Sequence, residues 1–538
     1  MAPVHVTGAW TRRWFVAAWL LAGAFLLLAN LGTYALWDDE ANTALFARNL
    51  WRFGDLTAWD GTNLVAFRDG LELTGLKNRV YPPFQYAWAA PWLGLLGETP
   101  LAARLPFALA ALAGLGLWAW WISREETSPA TWGAWTLAVF GNVSLFLYSR
   151  QSRYYALAWA LTLALAWLYE HREDSRRNRW LLACASTVLL SVHYLSWGAA
   201  MVCLAADQVL FQWRRDSNRQ RAAFLASQLL SLVVVVGTFF PFGRKVTDYV
   251  PRSWAGDKLK LAWWNLRDLA ACEFMWAPVL LLAVVVTWTR RDRLLLRAVV
   301  ALLAYALTAS LLSVQPVGWA RVADIRYMVA AIPLGLFITV RAFTSLPRVP
   351  PWVGVALVAL VSLTTALHVP AARWMGVREA VPLRSTTWTW LRELASPQRS
   401  AYGEATQWLN AHVPAGARVL VLPDFAAYPV MFHSPQLSVM WQLRPDQREA
   451  YAMLPEHLFR GQGAPDVLVA FGGGEARALA SLTSQYAARG SPFGPPVRLD
   501  VAAPDRTRPE LIWRDFATVA PAADQGVFIY ARQGLVTP

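Results

Sequence analysis

Three adjacent carboxylates, Asp38, Asp39 and Glu40, follow Trp37 where the first long apolar stretch of the chain ends. Like charges in a partly desolvated place push at least one pKa upward, which suits a general base that takes a proton from a hydroxyl near neutral pH. The same residues could instead do no more than end a membrane span in water, or supply some of the oxygens of a divalent-cation site. Arg150 and Arg153 sit three apart in Ser149-Arg150-Gln151-Ser152-Arg153-Tyr154-Tyr155, so they can face the same way. Paired guanidiniums match phosphate oxygens and keep their charge when partly buried; the alternative is snorkelling to lipid headgroups. Arg326-Tyr327 and His193-Tyr194 open two later apolar stretches and add a further arginine for a phosphate and three rings, His193, Tyr194 and Tyr327, for lining a site. A histidine at a helix end also serves as a purely structural residue.

These residues need a scaffold, and the composition names its solvent. Of 538 residues 56% are hydrophobic and only 16% charged, which excludes an ordinary soluble globule. Stretches able to cross about 30 Å of hydrocarbon are expected near 14–36, 103–122, 130–148, 154–170, 180–192, 195–212, 222–242, 269–288, 295–313, 327–345 and 352–371. The first is too long for a signal-peptide core and lacks a small-residue cleavage site, so it reads as a retained span. Basic loops at His171 to Arg179, Trp213 to Arg221 and Arg290 to Arg293 belong in the cytoplasm by the positive-inside rule. The odd count then places the N-terminus inside and the C-terminal part outside. The net charge of +14 mostly marks those loops, and nucleic acid is not expected as a partner. Cys184 and Cys203 lie in apolar stretches, so no disulfide framework is implied.

The first outer loop, 38–102, should form a roof. Phe46, Leu50 and Phe53 share one helical face and Arg48 and Arg52 the other, which predicts an interfacial helix lying flat. A polar loop from Gly54 to Arg79 follows, then Tyr81-Pro82-Pro83. The apolar stretch Pro83 to Gly97 carries Pro83 and Pro91 and is too short to span, so it reads as re-entrant or interfacial. All four lysines, Lys77, Lys245, Lys258 and Lys260, fall in loops assigned outside, where Lys77 is a further phosphate candidate and the others meet either substrate or headgroups. Tyr81 is a fourth lining residue.

Polar and apolar residues mix as in a soluble α/β domain toward the C-terminus. Tyr402 to Val413 reads as a helix stopped by Pro414-Ala415-Gly416, and Arg418 to Leu422 as a strand. Asp466 to Phe471 and Gly526 to Ala531 read as further strands, with Gly472-Gly473-Gly474 turning into a helix from Glu475 to Ala488. That glycine spacing is not the dinucleotide fingerprint. The expected architecture is an α-helical polytopic membrane domain over 1–371 with about eleven transmembrane helices, a linker over 372–400, and a small extracytoplasmic α/β domain over 401–538.

The acidic pair ending the first span, the long outer loop closing with Pro82-Pro83, and Arg104-Leu105-Pro106 opening the next span resemble the C-type membrane glycosyltransferases. Within these, the chain is similar to the protein O-mannosyltransferases and the aminoarabinose transferases of lipid A. Arg150-Gln151-Ser152-Arg153-Tyr154-Tyr155, His193-Tyr194-Leu195 and Arg326-Tyr327 look like further patterns of bacterial members, and the likeness covers roughly 14–345. It departs at Val80-Tyr81, where lipid A transferases carry a lysine before the paired prolines, and at Ser196 in place of a glycine. The resemblance implies that Asp39 acts as base, that a polyprenyl-phosphate sugar is the donor, and that a lipid, glycan or protein is the acceptor. Inversion by a single displacement would follow; no cofactor is implied, though the acidic triplet leaves a divalent metal open. A transporter or flippase of lipid-linked sugars is the alternative, and calls for charges near mid-bilayer and repeated halves. Asp207, toward the inner end of its span, is the main carboxylate within any expected span. A non-catalytic scaffold gives no reason for the acidic triplet.

Overall fold

Long apolar runs in a bilayer fold as helices because hydrocarbon offers their backbone N–H and C=O groups no other partner. The computed structural model describes residues 9–66, 68–78, 81–126, 128–173, 175–213, 217–239, 255–272, 276–313, 325–374, 383–397, 399–501 and 526–535. Each of the eleven expected stretches holds helix, but among the described residues length and composition alone qualify five helices as spans. These are α1 (Ala9–Leu28), α4 (Pro100–Glu125), α9 (Tyr194–Asp207, prolonged to Gln212 by a π-helical turn), α13 (Arg293–Leu312) and α14 (Ile332–Thr344, with the 3-10 helix Ile325–Ala331 before it). A sixth arises if α5 (Pro129–Gly141) and α6 (Val143–Ser149) count as one span bent by 55°. Asn142 makes that bend, its side chain capping α6 by accepting from the Leu145 N–H at 2.8 Å. Shorter apolar helices are α7 (Tyr155–Glu170), the Gln220–Val234 part of α10 (Asn218–Phe239), α12 (Trp276–Arg290, apolar from Pro278) and α15 (Pro351–Leu363). The more polar α8 (Arg176–Val192) packs against α7 and α10.

Three expected boundaries change. The first helix ends at Leu28 and not near residue 36, because the chain from Ala29 to Leu36 is gathered into turns by arginines from other helices. The outer loop expected from Gly243 to Asp268 contains a helix, α11 (Ala255–Cys272), which buries Leu261 and Ala262. Its buried Lys258 donates to the Ser313 carbonyl just past α13, a charge suited to a helix C-terminus. Arg244, Lys245 and Arg252 lie outside the described residues. The expected linker 372–400 carries α17 (Thr386–Ala395), whose Trp390 is buried and stacks on Phe146 of α6 with centroids 5.6 Å apart. A short helix, α16 (His368–Trp374), follows α15.

In the outer loop, α3 (Phe84–Leu96) has 13 residues, about 20 Å of helix and short of the hydrocarbon thickness. The helix expected to lie flat is α2 (Asp38–Phe53), and it is enclosed instead: nearly every residue from Asp38 to Asn49 is buried. The pattern misleads because Arg48, on the presumed polar face, is itself buried and paired with Asp60 and Glu98. Two packing partners enclose α2. One is α3, where a Cβ at Gly94 would stand 2.0 Å from the Trp51 ring. The other is the C-terminal domain.

That domain is built on a five-stranded sheet. It comprises β3 (Arg418–Leu422), β4 (Ser438–Val439), β5 (Val467–Phe471), β6 (Val497–Leu499) and β7 (Val527–Ala531) in the order β4-β3-β5-β7-β6, the two-residue pair β1 (Leu73–Thr74) and β2 (Lys77–Asn78) belonging to the outer loop. β3 runs parallel to β4 and β5, whereas β7 is antiparallel to β5 and β6. Helices α18 (Ala401–His412) and α20 (Gly473–Ala488) accompany it, with α19 (Ala427–His433) inserted after β3 and resting on α2.

Buried polar contacts clamp the domain to the outer loop. Asn63, fully buried, donates to the Leu437 carbonyl and accepts from the Val439 N–H, both at 2.8 Å. The Tyr428 hydroxyl donates to the Ala66 carbonyl at 2.7 Å. His433 Nε2 accepts from the Leu36 N–H at 2.9 Å, just before α2. Burial, and then the Arg104 guanidinium, push the His433 imidazole down to about 4. An unfolded histidine protonates near 6.5 and so binds more protons than the folded one between about pH 6.5 and 4. Stability is therefore full above that window and falls as the pH drops through it, by on the order of 3 kcal/mol at most. His433→Gln can accept the same N–H without titrating, and should flatten this part of the acid profile in thermal unfolding of the detergent-solubilised protein. An unchanged profile would show that another group controls it.

Candidate active site

Successive side chains on a helix diverge by about 100°, so three carboxylates in the first turn of α2 cannot share one surroundings. Glu40 points inward and is 0% exposed. It takes two hydrogen bonds from Arg104, Nε to Oε1 at 2.8 Å and Nη2 to Oε2 at 2.6 Å. The Ser152 N–H at 2.8 Å and the Trp37 N–H at 3.4 Å complete its shell. Arg104 spends its other N–H groups on the carbonyls of Leu31, Tyr34 and Ala35. Asp38 is also buried, and Asp39 alone keeps a quarter of its side chain exposed.

Asp39 lies between two guanidiniums. Arg153 Nη2 is 3.2 Å from Oδ1 and Arg326 Nη1 is 3.0 Å from Oδ2. Arg153 Nη1 also reaches the Asp39 carbonyl at 3.3 Å and Thr43 Oγ1 at 3.1 Å, which fixes its orientation. Aromatic rings wall this cluster. The Arg153 Cζ lies 5.9 Å from the centroids of both Tyr81 and Tyr154, and the Arg326 Cζ lies 5.3 Å from that of Tyr327. His193 stacks on Tyr154 at 3.8 Å and 11°, and parallels Tyr327 at 6.2 Å and 7°. Burial keeps the Tyr81 hydroxyl well above the usual phenol range, opposed by Arg153 and reinforced by Asp39, so it remains a neutral donor. Tyr194 follows His193 as the first residue of α9. The cluster thus offers one accessible carboxylate, two cations and several neutral donors: it can take a proton and compensate a negative charge at one place.

The sequence places some candidates differently. Arg150 does not share a face with Arg153; its guanidinium caps the end of α1 through the Leu26 and Ala29 carbonyls at 2.7 and 2.6 Å. Lys77 pairs with Asp55 and not with the Asp39 group. Glu40 is turned away onto Arg104, so the like-charge crowding expected of the acidic triplet is replaced by a cationic setting for Asp39. Among the described residues no three His, Cys, Asp or Glu side chains gather as a metal site. Asp207 is bound by Arg297 at 2.6 and 2.8 Å and by the Tyr169 hydroxyl at 3.1 Å.

The sequence matches no protein-family profile and no characterised protein sequence significantly. The fold does have relatives. ArnT from Cupriavidus metallidurans in the apo state superposes with a TM-score of 0.57 at 15% identity, over 98% of this chain and 99% of that one. The same protein bound to undecaprenyl phosphate gives 0.52 at 15% identity, over 97% and 99%. The chain has the ArnT fold. An Archaeoglobus fulgidus oligosaccharyltransferase in complex with Zn and sulfate is more distant, with a TM-score of 0.41 at 11% identity over 90% of this chain and 72% of that one. The likeness is one of fold, and it extends over nearly the whole of both chains.

Within the ArnT fold of this chain, two residues that shape the surroundings of Asp39 escape sequence reasoning as such: Thr43, which holds Arg153, and Arg104, which holds Glu40. Thr43 lies one turn after Asp39, a spacing that could have found it. Arg104 was visible only within the Arg104-Leu105-Pro106 motif that opens an apolar helix; nothing local reveals that Glu40 lies against it. Removing the Glu40 charge strands a buried guanidinium, at a cost of about 3–5 kcal/mol. Glu40→Gln should therefore lower the thermal unfolding midpoint sharply, whereas Asp39→Asn, at a partly exposed carboxylate, should lower it less. Equal shifts in a detergent thermal-unfolding assay would contradict the division of roles between the two residues.

Proposed function

We propose that the protein is a membrane glycosyltransferase that moves a sugar from a polyprenyl-phosphate donor to an acceptor hydroxyl at the outer face of the membrane. The observation that carries this reading is the Asp39 carboxylate held between Arg153 and Arg326. Asp39 takes the acceptor proton, the acceptor oxygen attacks the anomeric carbon, and the lipid phosphate leaves with its charge compensated by the two guanidiniums. Before the donor arrives, the arginines hold the carboxylate. A phosphate competes for them, which frees Asp39 as the base only when the leaving group is in place. Retention would require a second carboxylate at short, defined range. Glu40, with four hydrogen bonds already made, does not serve, so inversion by a single displacement fits better.

The ArnT structure that holds undecaprenyl phosphate supports a donor of the same lipid-phosphate class here. Localisation follows the basic loops: a multi-pass protein of the bacterial inner membrane, N-terminus cytoplasmic and C-terminal domain periplasmic. The acceptor is a lipid, a glycan or a protein, and mass spectrometry of the envelope of a deletion strain would identify it. Asp207 is neutralised by Arg297 within the protein, which weighs against its serving as a translocation charge.

Two measurements test the reading. In a purified-protein assay with a polyprenyl-phosphate sugar, Asp39→Asn should cut turnover by about two orders of magnitude while donor binding persists. Arg153→Ala should weaken donor binding itself by about tenfold or more, as expected for a lost charge-assisted contact. Near-normal transfer by Asp39→Asn would refute the base assignment. In the second measurement, a reporter fused to the C-terminal domain should be active only on the periplasmic side; cytoplasmic activity would reverse the placement of the site.

A further inference from the structure

The three-ring stack beside Asp39 contains a polar atom that the mechanism above does not use. His193 Nδ1 stands 3.3 Å from the Ser196 N–H and 2.8 Å from Ser196 Oγ, at the N-cap of α9. A backbone N–H can only donate, so Nδ1 is the accepting nitrogen and the neutral ring carries its proton on Nε2. A second proton, on Nδ1, would face the positive end of a helix and the capping N–H. Nε2 meets no protein hydrogen-bond partner among the described residues, and the side chain is half-buried, not sealed.

Tyr154 stacks on the ring and Tyr327 lies parallel to it farther off, and each of those rings lies beside one of the guanidiniums that bracket Asp39. The stack therefore runs from Arg153 to Arg326. Two more buried polar atoms nearby lack a hydrogen bond, the Tyr154 hydroxyl and Ser152 Oγ, on residues 5% and 0% exposed. Unsatisfied groups in such a place are costly and mark a site completed by something else. The two guanidiniums and the Nε2–H can only donate, and the two hydroxyls can donate or accept, so the ligand that completes the site must above all supply acceptors. A phosphate diester does so, and its charge strengthens the bonds from both guanidiniums.

We propose that His193 Nε2–H is a neutral hydrogen-bond donor to the phosphate of the lipid-linked substrate. The proposal rests on the glycosyl-transfer reading above. A neutral donor adds a ligand for the phosphate without a third cation, and so without a further competitor for the Asp39 carboxylate.

The test uses the full-length protein in detergent, with undecaprenyl phosphate as probe and undecaprenol as the control that lacks the phosphate. His193→Asn keeps an acceptor near the Nδ1 position but no donor at Nε2, while His193→Gln carries an N–H near Nε2. The Asn variant should bind undecaprenyl phosphate about tenfold more weakly than wild type, as for a lost hydrogen bond to a charged group. The Gln variant should stay within about threefold, and undecaprenol binding should be the same in all three. Thermal unfolding, run in parallel, reports loss of the α9 cap separately. Asn binding like wild type, or equal loss in both variants at whatever stability, would overturn the inference and leave the ring a role in capping or stacking alone. Should wild type itself show no preference for undecaprenyl phosphate over undecaprenol, the glycosyl-transfer reading fails. Should wild type show it and the Asn variant keep it, only the role of His193 fails.

Discussion

The buried pair of Glu40 and Arg104 is the contact on which the turns after α1, the start of α2 and the Asp39 group depend. Each charge is desolvated, a cost that its partner alone rarely offsets, and each is therefore surrounded by further hydrogen bonds. Arg104 draws in three carbonyls of the turns after α1, and Glu40 draws in the Ser152 and Trp37 amides. Asp39 is the neighbour of Glu40 in sequence, and Arg153 the neighbour of Ser152. Joining Glu40 to Ser152 therefore sets the distance between Asp39 and Arg153. The ion pair acts as a register pin for a site in which neither of its members takes part.

Basic residues on the presumed outer face are not what the positive-inside rule favours, and the contacts of several of them account for their presence. Arg150 and Lys258 lie at the C-terminal ends of apolar helices, where backbone carbonyls have no partner within the helix. Lys77 answers Asp55, and Arg48 answers Asp60 and Glu98. The rule counts charges near span ends by sequence and does not distinguish a solvated lysine from one that closes a helix. Among the described residues, Arg153 and Arg326 are the cations directed at the exposed carboxylate of Asp39.

What the sequence could reveal follows the range of the forces involved. The strand Arg418–Leu422 and the glycine turn into α20 are set by local periodicity and turn chemistry, and were legible to within a residue or two. The grouping of Asp39, Arg153, Tyr154, His193 and Arg326 was legible only as an ordered set of motifs, not from any one of them. Glu40, Arg150 and α2 were read amiss for a common reason: their partners lie far along the chain. Glu40 meets Arg104 across 64 positions, Arg150 meets Leu26 across 124, and the segment before α2 meets His433 across 397. Hydrophobic patterning also treats arginine as a surface residue, and so misplaces Arg48.

The clamp between Asn63, Tyr428 and His433 sets an order of events during biogenesis. The group around Asp39 draws its side chains from the first 330 residues, yet the loop that follows α2 is fastened by residues 428–439, which emerge much later from the ribosome. Contacts of such sequence separation form late, because the intervening chain must be ordered before they are rewarded. A nascent chain with every apolar helix already inserted would carry its acidic and basic groups in place but lack their cover. The surroundings of Asp39 are therefore complete only once the last domain has folded onto the segment before and after α2, whatever the order in which the helices enter the bilayer.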